Sequence, residues 1–167
     1  YKRQQVIALD VALPMLDQAK RQAGWWKPFQ RLCGDAAALP LADNSVDVIF
    51  SNLCLQWVDD LPAVFAGFRR VLKPGGLLLC STFGPDTLVE LNEAFAAADD
   101  RPHVSRFAQI AQFGDALMMA GFRDPVLDRD LFTLTYDDLP SLMRELRAMG
   151  ATNARADRRH TPVSYTH

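Results

Sequence analysis

The stretch from Val46 to Trp57, VDVIFSNLCLQW, decides which fold the sequence predicts. It opens with β-branched and other apolar residues, breaks off at the polar pair Ser51 and Asn52, and resumes as a hydrophobic turn. A short apolar run of this kind is typical of a strand that is buried in a parallel sheet. Ligands of open α/β sheets bind beyond the carboxyl ends of the strands, so we expect Ser51 and Asn52 at a functional edge.

Strand and helix patterns alternate on both sides of this central strand. Short apolar runs predict strands over residues 5–10 and 29–33 before it, and over residues 77–83 after it. Apolar residues at helical spacing predict helices over residues 14–23 and 61–72. This alternation predicts an α/β fold with a mostly parallel, doubly wound sheet.

The second half of the chain is predicted to be largely helical. The spacing of Thr87 and Glu90 predicts a capping box that opens a helix. Two further helices are predicted over residues 109–120 and 139–149. Between them, the Leu, Phe and Thr residues of 126–136 predict a long strand.

Length, charge and cysteine content limit the classes of protein. The chain has 167 residues, of which 49% are apolar, and this is enough for one sizeable core. Its formal net charge of -2 gives no general attraction to nucleic acid or anionic lipid, so neither nucleic acid nor membrane is an expected partner. Cys33, Cys54 and Cys80 occur singly, which predicts reduced, buried thiols in a cytoplasmic protein and no metal site.

Two aspartates follow predicted strands and are candidate ligands of a nucleoside. Asp10 ends the first strand, where a carboxylate can accept hydrogen bonds from both ribose hydroxyls, although it equally suits a cap for the next helix. Asp35 and the backbone amide of Ala36 follow the second strand and can bind the amino group and ring nitrogen of adenine, although Gly-Asp is also an ordinary turn. Together the carboxylates predict a ribose beside an adenine.

Apolar and basic residues elsewhere in the sequence add to this candidate site. Met15 and Leu39 can enclose a purine and Trp57 can wall a pocket, although each also suits the core. The segment 101–107, RPHVSRF, holds two arginines and a histidine that can clamp a carboxylate, although a solvated hinge is the plainer interpretation. Ser51 lies in no G-x-S-x-G sequence, so a hydrolase nucleophile is not expected.

In their order and spacing, these segments resemble the class I S-adenosylmethionine-dependent methyltransferases. The matching segments, from the second strand of that fold to the turn before its fifth, are 7–10, 14–16, 34–36, 39–41, 47–51 and 72–76. The resemblance implies a Rossmann-like α/β fold with helical cap insertions over residues 84–108 and 137–153. It also implies S-adenosyl-L-methionine as cofactor and S-adenosyl-L-homocysteine as product.

Within this superfamily, four segments resemble the malonyl-acyl carrier protein O-methyltransferases: 51–57, 83–88, 101–107 and 150–153. The resemblance implies methyl transfer to the free carboxylate of a malonyl thioester, on acyl carrier protein or coenzyme A, early in biotin synthesis. It implies a cofactor site of Asp10, Met15, Asp35, Ala36, Ser51 and Leu53. It implies a substrate site of Arg106, Arg101, His103, Trp57 and Asn52, in which Arg106 holds the carboxylate.

The implied chemistry agrees with the residues available. A carboxylate is already ionised at neutral pH, so displacement at the sulfonium methyl needs alignment and a dry pocket, and no acid or base residue is expected. Acyl carrier proteins are acidic as a class, and five arginines near the end of the chain predict a docking surface, although a solvated helix face fits equally well. These are Arg144, Arg147, Arg155, Arg158 and Arg159.

The resemblance also implies elements that the sequence does not contain. The first strand with its glycine-rich loop and the last strand are not recognised, so residues 1–153 are expected to form a partial methyltransferase domain. Loss of the first strand would leave a gap between two neighbours and unpaired backbone groups on both. We therefore expect little activity from the 167-residue chain alone, and a poorly ordered polar tail over residues 154–167.

Three other functions fit parts of the pattern. A respiratory complex I assembly factor, which is similar to an arginine hydroxylase, shares residues 52–57 and 83–88 in outline. A methyltransferase for quinone-like or sterol-like molecules would leave Arg106 without a carboxylate to hold. A non-catalytic binding or assembly module would fail to bind S-adenosylhomocysteine even at full length.

Overall fold

The structure is a computed structural model that describes residues 4–23, 29–97 and 107–148. It divides into two compact units. The first comprises Tyr1–Thr82 with Gln109–Leu127, and the second comprises Phe83–Ala108 with Asp128–His167. Each unit is described separately, and the strands found in the described residues all belong to the first.

The first unit begins with strand β1 (Ile7–Asp10), helix α1 (Leu13–Ala23) and strand β2 (Gln30–Cys33). β1 and β2 pair in parallel, with Asp10 opposite Cys33. A parallel pair needs a crossover connection, which α1 supplies. The strands and helix predicted in this region are confirmed.

The chain continues through strand β3 (Val46–Asn52), helix α2 (Leu61–Val71) and strand β4 (Leu72–Ser81). β3 and β4 also pair in parallel, with Asn52 opposite Ser81. The predicted parallel α/β architecture is therefore confirmed. The four strands form two separate two-stranded sheets, β1 with β2 and β3 with β4, instead of the one continuous sheet that the alternation predicts.

β4 is longer than the strand predicted over 77–83, because it begins directly after α2 and includes the sequence KPGG, and it ends at Ser81. The pairing of β3 with β4 is irregular here, which lets the chain pass through the two glycines. Lys73 binds the carboxylate of Asp47 on β3 at 2.8 Å, and a Cβ at Gly76 would lie 3.1 Å from the Asp47 carbonyl. Close contact with β3 therefore converts an expected turn into strand.

The core of the first unit lies between one face of β3 and β4 and the helices α2 and α4 (Ile110–Met119). α4 matches the helix predicted over residues 109–120. Phe65 is fully buried, and its ring makes edge-on contacts with three other rings, at centroid distances of 6.2, 5.0 and 6.4 Å to Phe68, Phe113 and Phe122. Apolar burial of this kind is the main favourable term in holding the strands against the helices.

The other face of β3 and β4 is exposed and apolar. Four side chains at facing positions in the register point away from the core: Val48, Phe50, Leu77 and Leu79. Because side chains alternate along a strand, the residues between them face the helices instead. Parallel sheets are ordinarily covered on both faces, so this face is unusual for the fold class.

The second unit contains helices α3 (Val89–Ala96) and α5 (Leu139–Ala148). The capping box predicted from Thr87 and Glu90 is wrong. The residue before α3 is Leu88, which has φ of 59° and makes no side-chain cap, and the backbone amide of Thr87 instead closes a turn. The sequence therefore predicts both helices of this unit, but it does not predict the residue at which α3 begins.

The strand predicted over residues 126–136 is also wrong. The segment is irregular, and its large apolar side chains are exposed, with Phe132 at 81%. A strand needs a neighbour for its backbone hydrogen bonds, and no described strand lies beside this segment. Its β-forming composition alone is therefore not enough.

The described residues test the expected burial of the three cysteines. Cys33 and Cys54 are exposed and Cys80 is half-buried, so the prediction of three buried thiols is wrong, although all three are free thiols. Among the helices that the structure describes, none combines the length and the apolar character that crossing a membrane requires.

Candidate functional site

The candidate site lies at the carboxyl ends of the strands in the first unit. β1 ends at Asp10, and two residues beyond the end of β2 lies Asp35. The backbone amide of Gly34 donates to the Asp10 carbonyl at 3.1 Å, which ties the two strand ends together. The structure thus brings both predicted carboxylates to one edge of the sheet.

Asp10 uses part of its carboxylate to shape the turn before α1. Its Oδ1 accepts a hydrogen bond from the Ala12 amide at 2.7 Å, an Asx-type turn between strand and helix. α1 begins at Leu13, so Asp10 is not the residue that caps the helix directly. Oδ2 makes no hydrogen bond within the described residues and is available to a ligand donor.

Asp35 has a structural role of its own. Its Oδ1 accepts from the Ala37 amide at 2.9 Å and caps the short 3-10 turn Ala36–Ala38. The hydrogen bonds of this turn use the amides of Ala37 and Ala38 and leave that of Ala36 unused. The second oxygen of Asp35 and the Ala36 amide therefore form an acceptor and donor pair, as the sequence predicts for adenine.

The turn that follows β3 is held by β4. The Ser81 hydroxyl donates to Asn52 Oδ1 at 2.6 Å, and the Leu53 amide donates to the Ser81 carbonyl at 3.1 Å. Leu53 has φ of 49°, in the left-handed region that a branched apolar residue rarely adopts. Such strain persists only where neighbouring contacts fix it, and it is common at functional sites.

Gln56 contributes an unsatisfied acceptor next to this turn. Its Nε2 donates to the Leu53 carbonyl at 2.6 Å, while its Oε1 is buried and has no partner among the described residues. A buried acceptor without a donor costs roughly 1–3 kcal/mol. Neither Gln56 nor Ser81 is in the predicted site, because their roles depend on contacts that local sequence does not display.

Cys54 lies in the turn that follows β3. The pKa of its thiol is raised above the usual value, first by partial burial and second by the negative charge of Asp10. A charge changes a pKa only over a limited distance, so the Asp10 carboxylate and the thiol lie in the same region of the first unit. The turn after β3 therefore lies close to the predicted ribose ligand, and within the described residues no cluster of side chains suits a metal ion.

This proximity gives a testable prediction. Replacing Asp10 with asparagine removes a negative charge beside Cys54, so the thiol pKa falls and alkylation of Cys54 by iodoacetamide at mildly alkaline pH becomes faster. Peptide mass spectrometry measures the rate at each cysteine. Cys80 is the internal control, because its pKa is raised by burial alone and its rate should not change. Equal acceleration at both cysteines would contradict the proximity.

The remaining predicted residues separate into three groups. Met15 is 59% exposed and Trp57 is 44% exposed, so both are accessible to a ligand, whereas Leu39 is buried in the core cluster. Ser51 is half-buried on β3. Three predicted substrate residues lie outside the described residues: Arg101, His103 and Arg106.

Comparison with known proteins agrees with this geometry. Residues 1–80 match the family described as "Methyltransferase domain", and this range includes the ends of β1, β2 and β3. The match covers a little under half of the chain. Parallel strands joined by helices and strand-end carboxylates are the features by which the sequence resembles the class I methyltransferase superfamily.

Curated relatives resemble the chain over nearly its whole length. A malonyl-[acyl-carrier protein] O-methyltransferase of Xylella fastidiosa is 65% identical over 161 residues, which are 96% of this chain and 55% of the relative. A protein of the same name from Gallionella capsiferriformans is 47% identical over 95% of this chain and 57% of its own length. The chain thus spans a little over half the length of the curated relatives it matches.

Solved structures have the same fold. An S-adenosylmethionine-dependent methyltransferase from Mesorhizobium loti superimposes with a TM-score of 0.61 and 22% identity, over 89% of this chain and 76% of that one. The phosphoethanolamine N-methyltransferase 2 of Haemonchus contortus, solved with S-adenosylhomocysteine, gives a TM-score of 0.58 at 26% identity, over 72% of this chain and 28% of that one.

Proposed function

We propose that the protein containing this chain transfers a methyl group from S-adenosyl-L-methionine to the free carboxylate of a malonyl thioester carried by acyl carrier protein. The observation that carries the proposal is the meeting of Asp10 and Asp35 at one sheet edge, beside the turn after β3. The names of relatives up to 65% identical support the same substrate, and they give no support to an assembly factor or hydroxylase. We expect the reaction to take place in the cytoplasm.

The cofactor's adenosine part suits the groups left unused at this edge. Asp10 Oδ2 is available for the ribose hydroxyls, since only Oδ1 is taken by the Ala12 amide. The unused oxygen of Asp35 and the amide of Ala36 suit the amino group and ring nitrogen of adenine. Exposed Met15 is available to the purine, and we assign Ser51 and Leu53, at the end of β3, to the same ligand.

Methyl transfer requires the substrate carboxylate to be aligned with the methyl group of the cofactor, and it requires no proton transfer. S-adenosyl-L-methionine, when bound, supplies an electrophilic methyl group on a sulfonium. The carboxylate of the substrate is ionised at neutral pH and attacks that methyl directly, so that an O–CH₃ bond forms while the S–CH₃ bond breaks and S-adenosyl-L-homocysteine leaves. The protein must therefore orient the carboxylate and exclude water. Asn52 suits this task, because its side-chain nitrogen has no acceptor among the described residues and can donate to a substrate oxygen.

The substrate carboxylate also needs a positive partner, which we assign to Arg106. Arg101 is the second candidate and His103 a supporting donor, while Trp57 forms a wall of the pocket. Arginine binds a carboxylate through two parallel hydrogen bonds, which suits recognition of a malonyl group over an uncharged acyl chain. Esterification removes the charge that the arginine recognises and so favours release of the product.

Mass spectrometry of the acyl carrier protein tests the proposal. The protein, expressed at the length of its relatives, is mixed with S-adenosyl-L-methionine and malonyl-acyl carrier protein, with malonyl-coenzyme A in a second reaction. We expect the malonyl carrier to gain the mass of one CH₂ group. No gain on either thioester would refute the activity, and a gain on coenzyme A alone would refute the carrier as substrate.

A docking surface for the carrier is a separate prediction. Arg144 and Arg147 are exposed on α5, and acyl carrier protein is acidic. Replacing both with glutamate should raise KM for the carrier-bound substrate roughly tenfold at low salt and less at high salt, since charges at an interface rim mainly govern association. Methylation of malonyl-coenzyme A should be unchanged. Arg123→Glu, at an exposed arginine of the first unit, is the control, and equal losses on both substrates would remove the docking role.

A further inference from the structure

Ser81 is the last residue of β4 and lies opposite Asn52, the last residue of β3. Its hydroxyl donates to Asn52 Oδ1 at 2.6 Å and accepts from the Leu53 amide at 3.3 Å, and its carbonyl accepts from the same amide at 3.1 Å. Ser81 therefore contacts both Asn52, which is proposed to bind the substrate, and the strained residue Leu53 that follows Asn52.

These contacts determine which end of the Asn52 amide is free. The Leu53 N–H occupies an acceptor position of the Ser81 hydroxyl, and the hydroxyl proton then has the Asn52 oxygen as its acceptor. With its oxygen held, the Asn52 carboxamide leaves Nδ2 and its two protons without an acceptor among the described residues. A reversed amide would bring the donor Nδ2 to this hydroxyl and lose the hydrogen bond from the hydroxyl to Asn52 Oδ1, which is the less favourable arrangement.

We infer that Ser81 is a positioning residue, which fixes the Asn52 amide so that its two donors are presented to an oxygen of the malonyl group. This inference rests on the proposed function, because it assigns the Asn52 donors to that substrate. Asn52 is exposed, and an exposed amide otherwise rotates freely between its two orientations. Ser81 removes that freedom before the substrate arrives, and such preorganisation lowers the free-energy cost of binding.

Steady-state kinetics on the protein at the length of its relatives tests the inference. Ser81→Ala should raise KM for malonyl-acyl carrier protein roughly threefold to tenfold with a smaller change in kcat, as the loss of one neutral hydrogen bond predicts. Ser81→Thr keeps the hydroxyl and should restore KM. In an Asn52→Ala background, Ser81→Ala should cause no further loss, because the serine acts through the asparagine. Additive losses would overturn the inference.

A matched control and a measurement without substrate complete the test. Ser45→Ala removes a hydroxyl bond of the same length, 2.6 Å to the Ala42 carbonyl, before β3 begins, and should leave KM unchanged. In nuclear magnetic resonance spectra, the Asn52 side-chain amide is identified by its loss in Asn52→Ala. In the wild-type protein, the chemical shifts of its two protons should differ from random-coil values. In Ser81→Ala they should move to random-coil values.

The two measurements separate the possible failures. Unchanged Asn52 amide signals in Ser81→Ala would overturn the positioning role, whatever the activity. Shifted signals with unchanged KM would overturn the link to substrate. A wild-type protein that methylates no malonyl thioester would refute the proposed function and with it the substrate part of the inference, while the amide signals would still decide whether Ser81 orients Asn52.

Discussion

Replacing Phe65 with alanine is expected to lower the free energy of unfolding of the first unit by about 3–5 kcal/mol, as for other buried aromatic residues. Phe65 is fully buried in α2, and its ring contacts Phe68, Phe113 and Phe122 edge-on. Alanine would leave a cavity at the centre of this aromatic cluster, and the helices on either side cannot collapse onto it without losing other contacts. Urea denaturation followed by circular dichroism measures the change.

Phe132→Ala is the matched control for this prediction. It makes the same chemical change at a phenylalanine that is 81% exposed, so the free energy of unfolding should change by less than about 0.5 kcal/mol. The slope of free energy against urea should be similar in both variants if the loss is one of packing. A Phe65→Ala protein as stable as the control would show that the cluster does not hold the first unit together.

Local periodicity explains why much of the first unit is predictable from sequence. The apolar spacing of residues 61–72 predicts α2, and the structure places it at Leu61–Val71. The apolar runs of β1, β2 and β3 are likewise visible without any tertiary information. For these elements, burial in the core and local propensity favour the same conformation.

The failures occur where a distant partner decides the conformation. Residues 126–136 have strand-forming composition, but the described structure offers them no neighbouring strand. The sequence KPGG becomes strand because it pairs with β3. Gln109 and Gln112 form a reciprocal capping box at the start of α4, which a search for Ser or Thr does not find.

The candidate site shows the same division. Asp10 and Asp35 are predictable because strand ends are visible in the sequence, and parallel strands bring such ends to one edge. Ser81 is not predictable in this way. It lies 29 positions from Asn52 in the sequence, and only the register of β3 with β4 brings the two residues together. The unpaired oxygen of Gln56 is likewise a consequence of burial. Contacts that depend on register require the structure.

Asp10→Asn is expected to weaken binding of S-adenosylhomocysteine by about 10-fold to 100-fold, because hydrogen bonds to a charged group are worth about 1.5–3 kcal/mol. Asparagine retains one oxygen, which can still accept from the Ala12 amide and preserve the turn before α1. It loses the charge and the second oxygen that the ribose hydroxyls would use. The substitution therefore separates the ligand role from the structural role within one side chain.

Isothermal titration calorimetry with the protein at the length of its relatives measures this affinity. Asp43→Asn is the control, since Asp43 lies in the turn before β3, at the amino-terminal end of the strand, and binds Arg70 at 2.7 Å. Loss of that surface ion pair should leave the affinity unchanged. Equal affinities for wild type and Asp10→Asn would mean that the ribose is not held by the end of β1, and the adenosine site would have to lie elsewhere. A loss confined to Asp10 would instead locate the cofactor at the carboxyl ends of β1 and β2, where Asp10 and Asp35 lie.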